Sequence, residues 1–533
     1  MLRLKSIKTI FMSLALIALM QSCESRLDLV PEDNRLTAEA AFATEEGYEQ
    51  AFAKLYGGIA VTGQNTTGQP DIVSDDEGAS GFIRSIWKVQ ELPTDEAIIG
   101  WNDGGIRALN TQTWTAGNDF TRAAYNRTIY QVTLVNEFLR QTTPEKLDAR
   151  GETDAFKAVV NGYRTEARFL RALAYYYAMD IFGNVPFVTE ADPVGSFLPP
   201  QISRSDLFNF LETELLAIEN EIPAAGANEY GRADRATVWM LLAKMYLNAE
   251  VYTGTSRYTE VITYSNQIIG AGYTIPATAY QHSFLADNDT NGAQDEVIFA
   301  VPFDGLNIQS YAGTTFLVHA PVGGTMSAAD FGINGGWGGI RTTPTFVEQF
   351  PGEENSADQR AMFFTDGQTK EIEDIGSFTN GYAVTKWKNV DVNGNAGSDP
   401  SGEFVDTDFP MFRLADVYLM YAEAMLRGGG GDMTTALGYV NQLRNRAYGD
   451  ASGNISSSDL TLDFILDERS RELYWEGHRR TDLIRYGRFS TQGTWAWKGG
   501  VPQGTTTGAF RDLMPIPAND LGVNTNLEQN PGY

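Results

Sequence analysis

The chain has 533 residues, with 40 Lys and Arg against 68 Asp and Glu, which gives a net charge of −28 at pH 7. Affinity for a nucleic-acid backbone depends on clustered cations, so this balance argues against DNA or RNA as a partner. A hydrophobic content of 42%, with 12% aromatic residues, is enough to build a large core and excludes a disordered chain. The composition fits a neutral ligand better than an anionic one.

The N-terminus has the pattern of a lipoprotein signal peptide. Cations precede an apolar run from Ile10 to Met20, which is too short to cross a bilayer. The run leads into MQSC, and Cys23 is the only cysteine, so no disulfide can form within the chain. We expect residues 1–22 to be the signal peptide and Cys23 to carry a lipid that anchors one domain, residues 23–533, to a membrane surface. Ordinary secretion with a free thiol is the alternative.

Hydrophobic periodicity predicts a mainly α-helical protein. In the first predicted helix, Arg164 to Phe182, the residues Phe169, Leu173, Tyr177 and Ile181 recur at i+4 spacing on one face. Small residues alternate with aromatic ones at helical spacing, which suits stacked helix pairs of the tetratricopeptide type. The same patterns predict further helices at 235–252, 412–426, 434–448 and 462–486.

Two long stretches lack this periodicity. Residues 61–118 and 271–408 are rich in Gly, Thr, Asn and Asp with isolated aromatic residues. Irregular segments of this length in a compact protein are usually functional or disordered, and the scattered Trp and Tyr argue against disorder. We therefore expect a helical scaffold that presents irregular binding loops on one face.

Acidic residues raise the possibility of glycosidic bond cleavage. The stretch ELPTDEAIIGW sets Glu91, Asp95 and Glu96 close to Trp101. A glycosidase needs two carboxyl groups about 5–10 Å apart, but with 68 acidic residues sequence proximity does not identify a pair. We interpret these three carboxylates as groups that cap turns and fix the shape of the loop.

The segment DERSRELYWEGHRR has a second concentration of carboxylates. Glu468, Glu472 and Glu476 follow at i+4 steps among Arg469, Arg471, Arg479 and Arg480, which predicts intrahelical and interhelical ion pairs. The histidines are far apart in sequence, and zinc-type Cys/His spacing, a GxxxxGK loop and a GxSxG elbow are all absent.

Aromatic residues in the irregular stretches give a different indication. Trp101 in GWNDGG, Tyr311 in SYAGTT and Trp337 in NGGWGGIR lie beside small or polar residues. A flat aromatic face packs against the C–H face of a sugar ring, while neighbouring polar groups bind its hydroxyls. Each residue alone could be a loop anchor that packs on the core, but three of them together favour a ligand surface.

The stretch DNDTNG matches the first half of a calcium loop. Asp287, Asp289 and Asn291 supply alternating oxygen atoms before a glycine, but Ile298 occupies the position where the loop normally has Glu. Glu296 is a substitute for that ligand. A polar turn without metal is the alternative.

Three long stretches resemble the SusD/RagB family of Bacteroidetes surface lipoproteins, which bind nutrients. They are RFLRALAYYYAMDIFGNVPFV, LDERSRELYWEGHRRTDLIRYGRF and the C-terminal LMPIPANDLGVNTNLEQNPGY, in the expected order. The resemblance implies a SusD-like fold, with four tetratricopeptide-like helix pairs that support long irregular loops, and no catalysis. It also implies an outer-membrane, cell-surface location and delivery of ligand to a SusC-like TonB-dependent transporter, beside other surface glycan-binding lipoproteins.

Within the family, segments such as VTGQ, ELPTDE, YGRADRA and ADND are similar to the starch-binding prototype. The resemblance implies an arc of aromatic residues that holds starch or malto-oligosaccharides. It implies that Trp101, Tyr311 and Trp337 are aromatic planes of the arc, Arg84 a hydroxyl-binding cation, and Asn102 a polar contact. It also strengthens the calcium prediction for the DNDTNG turn.

Departures from the prototype bear on ligand identity. The prototype has a second Trp where this chain has Ile99, and its arc Asn falls near Gly104, so Asn102 replaces it only if the loop shifts. The arc is therefore thinner, and another glycan, or a peptide as in the RagB branch, is the alternative ligand. A glycoside hydrolase is the alternative from another class.

Overall fold

The structure is a computed structural model that describes residues 37–64, 69–74 and 76–533, so the predicted signal peptide and Cys23 lie outside the described residues. Its α-helices, labelled α1 to α18 in chain order, are Ala38–Ala41, Glu45–Ala60, Phe82–Glu91, Ile106–Asn110, Asp119–Gln141, Pro144–Arg150, Asp154–Phe182, Arg204–Ile218, Arg235–Leu247, Ala249–Thr253, Tyr258–Gly270, Thr314–His319, Pro344–Val347, Leu414–Leu426, Met433–Tyr448, Leu462–Leu473, Arg479–Arg485 and Ala518–Val523.

The strands are short and form two-stranded antiparallel pairs. Labelled β1 to β8, they are Ile98–Ile99, Val185–Pro186, Gln201–Ile202, Val297–Val301, Ile340–Arg341, Phe363–Phe364, Ala383–Val384 and Phe409–Arg413. β1 pairs with β5, β2 with β3, β4 with β8 and β6 with β7. The prediction of a mainly helical protein is confirmed.

The first predicted helix is correct but begins too late. α7 starts at Asp154 because Thr153 caps it, its side chain accepting a hydrogen bond from the Phe156 amide. In the first turns only Phe156 and Val160 face the core, and this sparse pattern hides the helix start. α7 ends at Gly183, whose φ of +72° suits a residue without a Cβ.

Two other predicted helices are interrupted. The 235–252 helix breaks at Asn248 into α9 and α10. The 462–486 helix ends at Leu473 and resumes at Arg479, because Trp475 takes a left-handed backbone with a φ of +62°. The buried Trp475 indole donates to the Glu96 carbonyl at 3.2 Å, so a tertiary contact determines this break.

The prediction of an irregular stretch at 61–118 is wrong for part of its length. α3 lies inside it, and all of its residues are buried, including Arg84, Lys88 and Gln90. Polar residues usually mark the exposed face of a helix, so their burial obscures the pattern. Their partners are tertiary: Gln90 Nε2 donates to the Asp180 carboxylate at 2.9 Å. The 271–408 stretch also contains β4, α12 and several short strands.

The long helices pack in succession around one core. α5 packs on α3 and α7, α7 on α8, α9 on α11, and α14 on α11, α15 and α16. Phe169, Leu173 and Ile181 are fully buried, and Tyr177 is partly buried against Phe82. The arrangement is compatible with stacked helix pairs, and the assignment of four tetratricopeptide-like units stays a prediction. No helix in the described part of the chain is long and apolar enough to span a bilayer.

The predicted ion pairs around α16 are confirmed, although most partners come from other elements. Glu468 binds Arg360, Arg444 and, within the helix, Arg471. Glu472 binds Arg360, Arg413 and Arg446, and Glu476 binds Arg413 and Lys386; all of these side chains are buried. A buried charge that loses its partner is costly, so this network requires all of its members together.

The carboxylates of ELPTDE do not cap turns of their own loop, contrary to the sequence interpretation. Asp95 accepts two hydrogen bonds from the Arg479 guanidinium, both at 2.7 Å. Glu91 accepts from the amide of Gly477 at 2.6 Å, and Glu96 accepts from the Ser470 hydroxyl at 2.6 Å. These carboxylates are buried and attach the loop to α16, to the turn that follows it and to the start of α17.

We expect Asp95→Asn to destabilise the fold by about 3–5 kcal/mol, because it removes the carboxylate that binds the buried Arg479 guanidinium through two hydrogen bonds and leaves the weaker contact with Glu96 at 3.6 Å. Chemical denaturation measures the change. The control is Asp463→Asn, which breaks the exposed pair with Arg488 and should cost less than about 1 kcal/mol. Equal costs for the two variants would contradict the role of the Asp95–Arg479 pair.

Candidate functional site

The pairing of β1 with β5 brings two tryptophans from distant loops together. Just beyond the ladder, the Gly100 amide donates to the Gly339 carbonyl at 2.8 Å. Trp101 therefore lies beside Trp337, and its indole Nε1 donates to the Trp337 carbonyl at 3.1 Å. The Trp101 ring fills the space over Gly339, where an added Cβ would lie 2.3 Å from Cε2 of the indole. Arg107 fixes this backbone by donating to the carbonyls of Gly100 and Trp101.

The ring of Trp337 rests on a buried histidine. The His319 ring stacks on it with a centroid distance of 4.9 Å and an interplanar angle of 24°. His319 Nδ1 and Nε2 lie 2.7 Å and 3.0 Å from the carbonyl oxygens of Gly335 and Glu403, and the Trp337 amide donates to the His319 carbonyl. Burial lowers the pKa of His319, while its contacts with the Gly335 and Glu403 carbonyls act in the opposite direction.

Tyr311 supplies a third ring. Its centroid lies 6.3 Å from that of Trp337 and 5.1 Å from that of Phe404. Its hydroxyl donates to the Glu403 carboxylate, and burial together with this carboxylate raises the pKa of Tyr311 to about 12. The ring orientation is therefore fixed by two aromatic neighbours and at the hydroxyl.

Arg84, in the first turn of α3, forms the floor between these rings. Its side chain is only 3% exposed, with Nη1 donating to the Tyr311 carbonyl at 3.1 Å and Nη2 donating to the Asp76 carboxylate. The guanidinium carbon lies 4.6 Å from the centroid of Phe316 and 5.8 Å from that of Trp337. Burial lowers its pKa, but an arginine remains charged at pH 7.

These elements enclose a cleft of about 540 Å³, here called the aromatic cleft, which is lined by Asp76, Arg84, Trp101, Asn102, Asp103, Tyr311 and Trp337. The five residues singled out from the sequence thus lie together, and their role in ligand binding stays a prediction. Asp76 was missed, and Asp103 was not singled out although it lies in the quoted stretch GWNDGG, directly after Asn102.

Ile99 is not a vacant platform position in the cleft. It is fully buried and pairs with Ile340 in the β1–β5 ladder. Because the side chain at position 99 is buried in the core, an aromatic residue at this position would not line the cleft. Asn102 lines the cleft directly, whereas Gly104 is exposed outside it.

The oxygen atoms of the DNDTNG turn are used by the protein itself. The Asn291 side-chain amide donates to the Asp287 carboxylate and to the His282 carbonyl, both at 3.0 Å. Glu296, the substitute ligand, is buried between Arg413 and Arg446. Within the described residues no group of three His, Cys, Asp or Glu is placed to hold a metal ion. This donor set does not fit a calcium loop as it stands and fits a polar turn.

Calcium at Asp287, Asp289 and Asn291 stays a prediction, and its test is thermal. A metal ion that binds only the folded state raises the melting temperature, and its removal lowers it again. If the turn is complete without metal, excess EDTA should therefore leave the melting temperature unchanged. Addition of millimolar calcium to the chelated protein is the control. A fall in melting temperature with EDTA that calcium reverses would establish the ion instead.

Comparisons with known proteins agree with this fold. The sequence model described as the SusD family matches residues 353–533. The starch-binding protein SusD of Bacteroides thetaiotaomicron is 34% identical, with 100% of each chain covered, and a SusD-like protein of Bacteroides ovatus is 24% identical over 95% of this chain and 94% of its own.

Solved structures carry the same architecture. A SusD superfamily protein from Parabacteroides distasonis superposes with a TM-score of 0.69 at 22% identity, covering 94% of this chain and all of its own. Surface glycan-binding protein A of Bacteroides thetaiotaomicron, solved with laminarihexaose, gives a TM-score of 0.70 at 19% identity over 91% of this chain and 99% of its own. At these identities the likeness concerns the fold alone. The full-length relative at 34% identity, together with the shared fold, shows that this chain belongs to the SusD family.

Proposed function

We propose that this protein is a cell-surface glycan-binding lipoprotein that captures starch-like α-glucans without cleaving them. The observation that carries the proposal is the aromatic cleft, in which Trp101, Tyr311 and Trp337 surround one concave surface with polar groups at its edge. Aromatic faces of this kind take the C–H faces of sugar rings, and the polar side chains take the hydroxyls.

The charges of the cleft favour a neutral ligand. The Arg84 guanidinium already binds Asp76, and Asp103 adds an exposed carboxylate. The described lining of the cleft therefore has no unpaired cation that could bind an acidic sugar. Buried, paired charges still offer hydrogen bonds at fixed positions. This supports a neutral polysaccharide over a uronic acid or a sulfated glycan.

The starch assignment rests on the full-length relative, which is named a starch-binding protein. The relative solved with laminarihexaose keeps a different glucan open as the ligand. A peptide ligand, as in the RagB branch, is the remaining binding alternative.

The carboxylates argue for binding rather than hydrolysis. Burial raises the pKa of Glu91 to about 7. The pKa of Glu96 is raised well above its usual value by its own burial and by the negative charge of the neighbouring Glu91. Such shifts can mark catalytic groups, but both side chains are buried against the segment after α16 and neither lines the aromatic cleft. Within the cleft, Asp76 is held by Arg84 and by the Gly78 amide, so its oxygens are engaged.

The anchoring and delivery steps complete the proposal. The lipid on Cys23 would hold the protein at the outer face of the outer membrane. From there the captured glycan would pass to a SusC-like TonB-dependent transporter, alongside other surface glycan-binding lipoproteins. The excess of 68 Asp and Glu over 40 Lys and Arg does not favour a nucleic-acid partner or a second contact with an anionic membrane.

Affinity electrophoresis tests the ligand. We expect amylopectin to retard the protein and Trp101→Ala to remove most of the retardation, since the loss of one stacking platform costs on the order of 1–3 kcal/mol by analogy with other aromatic platforms. Trp239→Ala is the control, because Trp239 is partly buried on α9 and does not line the cleft. Unretarded migration in amylopectin with retardation in laminarin would overturn the starch assignment, and binding of a peptide mixture alone would favour the RagB-like alternative.

The geometry of the platform can be tested without removing an aromatic residue. Gly339→Ala puts a methyl group where the Trp101 indole lies, so the ring must shift and amylopectin affinity should fall at least about fivefold, the lower end of the stacking cost. Gly335→Ala, in the same loop but with open space around its Cβ position, should bind as the unmodified protein does. Equal binding by both variants would show that the Trp101 orientation is unimportant.

A further inference from the structure

A second cavity, of about 520 Å³, lies between α2, the turn that precedes α9, and the segment that follows β4. It shares no lining residue with the aromatic cleft, and nothing in the proposed function uses it. We call it the tyrosine cavity, after the rings of Tyr56, Tyr163 and Tyr230 in its wall. Its volume is within the range of about 300–1,000 Å³ that is typical of small-ligand sites.

The tyrosine rings are held by their hydroxyl ends. The Tyr56 hydroxyl donates to the Glu166 carboxylate at 2.6 Å and accepts from the Ala233 amide at 2.9 Å. The hydroxyl of Tyr230 lies against the buried Asp408 carboxyl, yet the residue is 44% exposed. Tyrosines tied in this way present ring surface rather than hydroxyls to the cavity, which is the arrangement that a sugar platform requires.

The third ring is fixed by stacking. Tyr163 lies parallel to Phe52, with centroids 4.2 Å apart and an interplanar angle of 13°. The Arg232 guanidinium carbon lies 5.2 Å from the centroid of Phe52 and 5.8 Å from that of Tyr163. Aromatic and cation–π contacts therefore hold this wall in place before any ligand arrives.

The tyrosine cavity carries carboxylates at Glu49 and Glu229, and its Arg232 is paired inside the protein. Arg232 binds the buried Glu166 carboxylate and lies 3.5 Å from Glu229. The amides of Gln64 and Asn307 line the same cavity and offer both donors and acceptors. Aromatic walls, neutral hydrogen-bonding groups and no unpaired cation together suit a neutral, hydroxyl-rich ring compound.

Two small residues of helix α2 leave space at the cavity between its larger side chains. The residues it presents there include Ala53 and Gly57, four positions apart on one face, and a Cβ on Gly57 would meet only a Val61 methyl at 4.0 Å. A glycine inside a helix costs about 1 kcal/mol relative to alanine, so this gap carries a stability cost. The open face gives a ring access to the tyrosine platform.

The two cavities are close along the chain. Ile308 lines the tyrosine cavity and Tyr311 lines the aromatic cleft, so their Cα atoms are at most about 11 Å apart. This short separation is the basis for expecting one polymer chain to reach both. We propose that the tyrosine cavity is a second carbohydrate subsite, which takes one or two rings of the same neutral polysaccharide that the aromatic cleft binds; this inference rests on the proposed function.

A cavity-filling substitution tests the subsite. The Cβ of Gly57→Leu has open space, and its side chain should lean toward the helix N-terminus, over Ala53, and occupy the cavity. Gly438→Leu is the control, because Gly438 is an exposed helical glycine with open space, outside both cavities. Both variants should keep or raise the melting temperature, because each replaces a helical glycine. We expect Gly57→Leu to weaken amylopectin binding about three- to tenfold, the loss of roughly one weak contact, and to leave maltotriose binding at the aromatic cleft unchanged.

The outcomes separate this inference from the proposed function. If Gly57→Leu binds amylopectin as Gly438→Leu does while Trp101→Ala loses binding, the subsite is wrong and the proposed function stands. If Trp101→Ala binds amylopectin normally and Gly57→Leu does not, the assignment of the aromatic cleft as the binding site is wrong, and the tyrosine cavity is the binding site. If only laminarin retards the protein, the comparison is made with laminarin in place of amylopectin and laminaritriose in place of maltotriose. If Gly57→Leu unfolds, Tyr230→Ala, which removes a platform without adding volume, decides by the same comparison.

Discussion

The buried pair between Asp95 and Arg479 is the constraint on which the binding loop depends. It joins residues 384 positions apart with two hydrogen bonds of 2.7 Å, in a region where neither charge could remain alone. The attachment fixes the start of β1, β1 pairs with β5, and that pairing sets Trp101 beside Trp337. A salt bridge outside the cleft thus determines the relative position of two rings within it.

The same principle extends through the scaffold behind the loop. Carboxylates of α16 are shared among arginines from several helices and strands, so each element is positioned by others that are distant in sequence. Such networks contribute little net stability compared with apolar packing, but they penalise any arrangement that leaves one charge unpaired. A rigid scaffold of this kind suits a binding protein, because ordering of its loops on ligand binding would otherwise reduce affinity.

The two proposed carbohydrate sites hold their aromatic rings in the same way. Their rings are fixed by contacts at the edge or rear, as with His319 under Trp337 and Glu166 behind Tyr56, and their cations are already paired. Preorganised surfaces of this sort bind through shape and stacking rather than net charge. An acidic protein can therefore bind a neutral polysaccharide without a basic patch.

The sequence by itself determined the helical class, the ion-pair character of α16, and five residues of the aromatic cleft, because local periodicity, charge spacing and family motifs are properties of neighbouring residues. It did not predict α3, whose polar residues are buried, or the break at Trp475. It also failed to give the position of Ile99 in the core, the use of Asp287 and Asn291 within their own turn, and the attachment of Asp95 to Arg479. Each of these depends on a partner far along the chain, and only the tertiary structure brings such partners into contact.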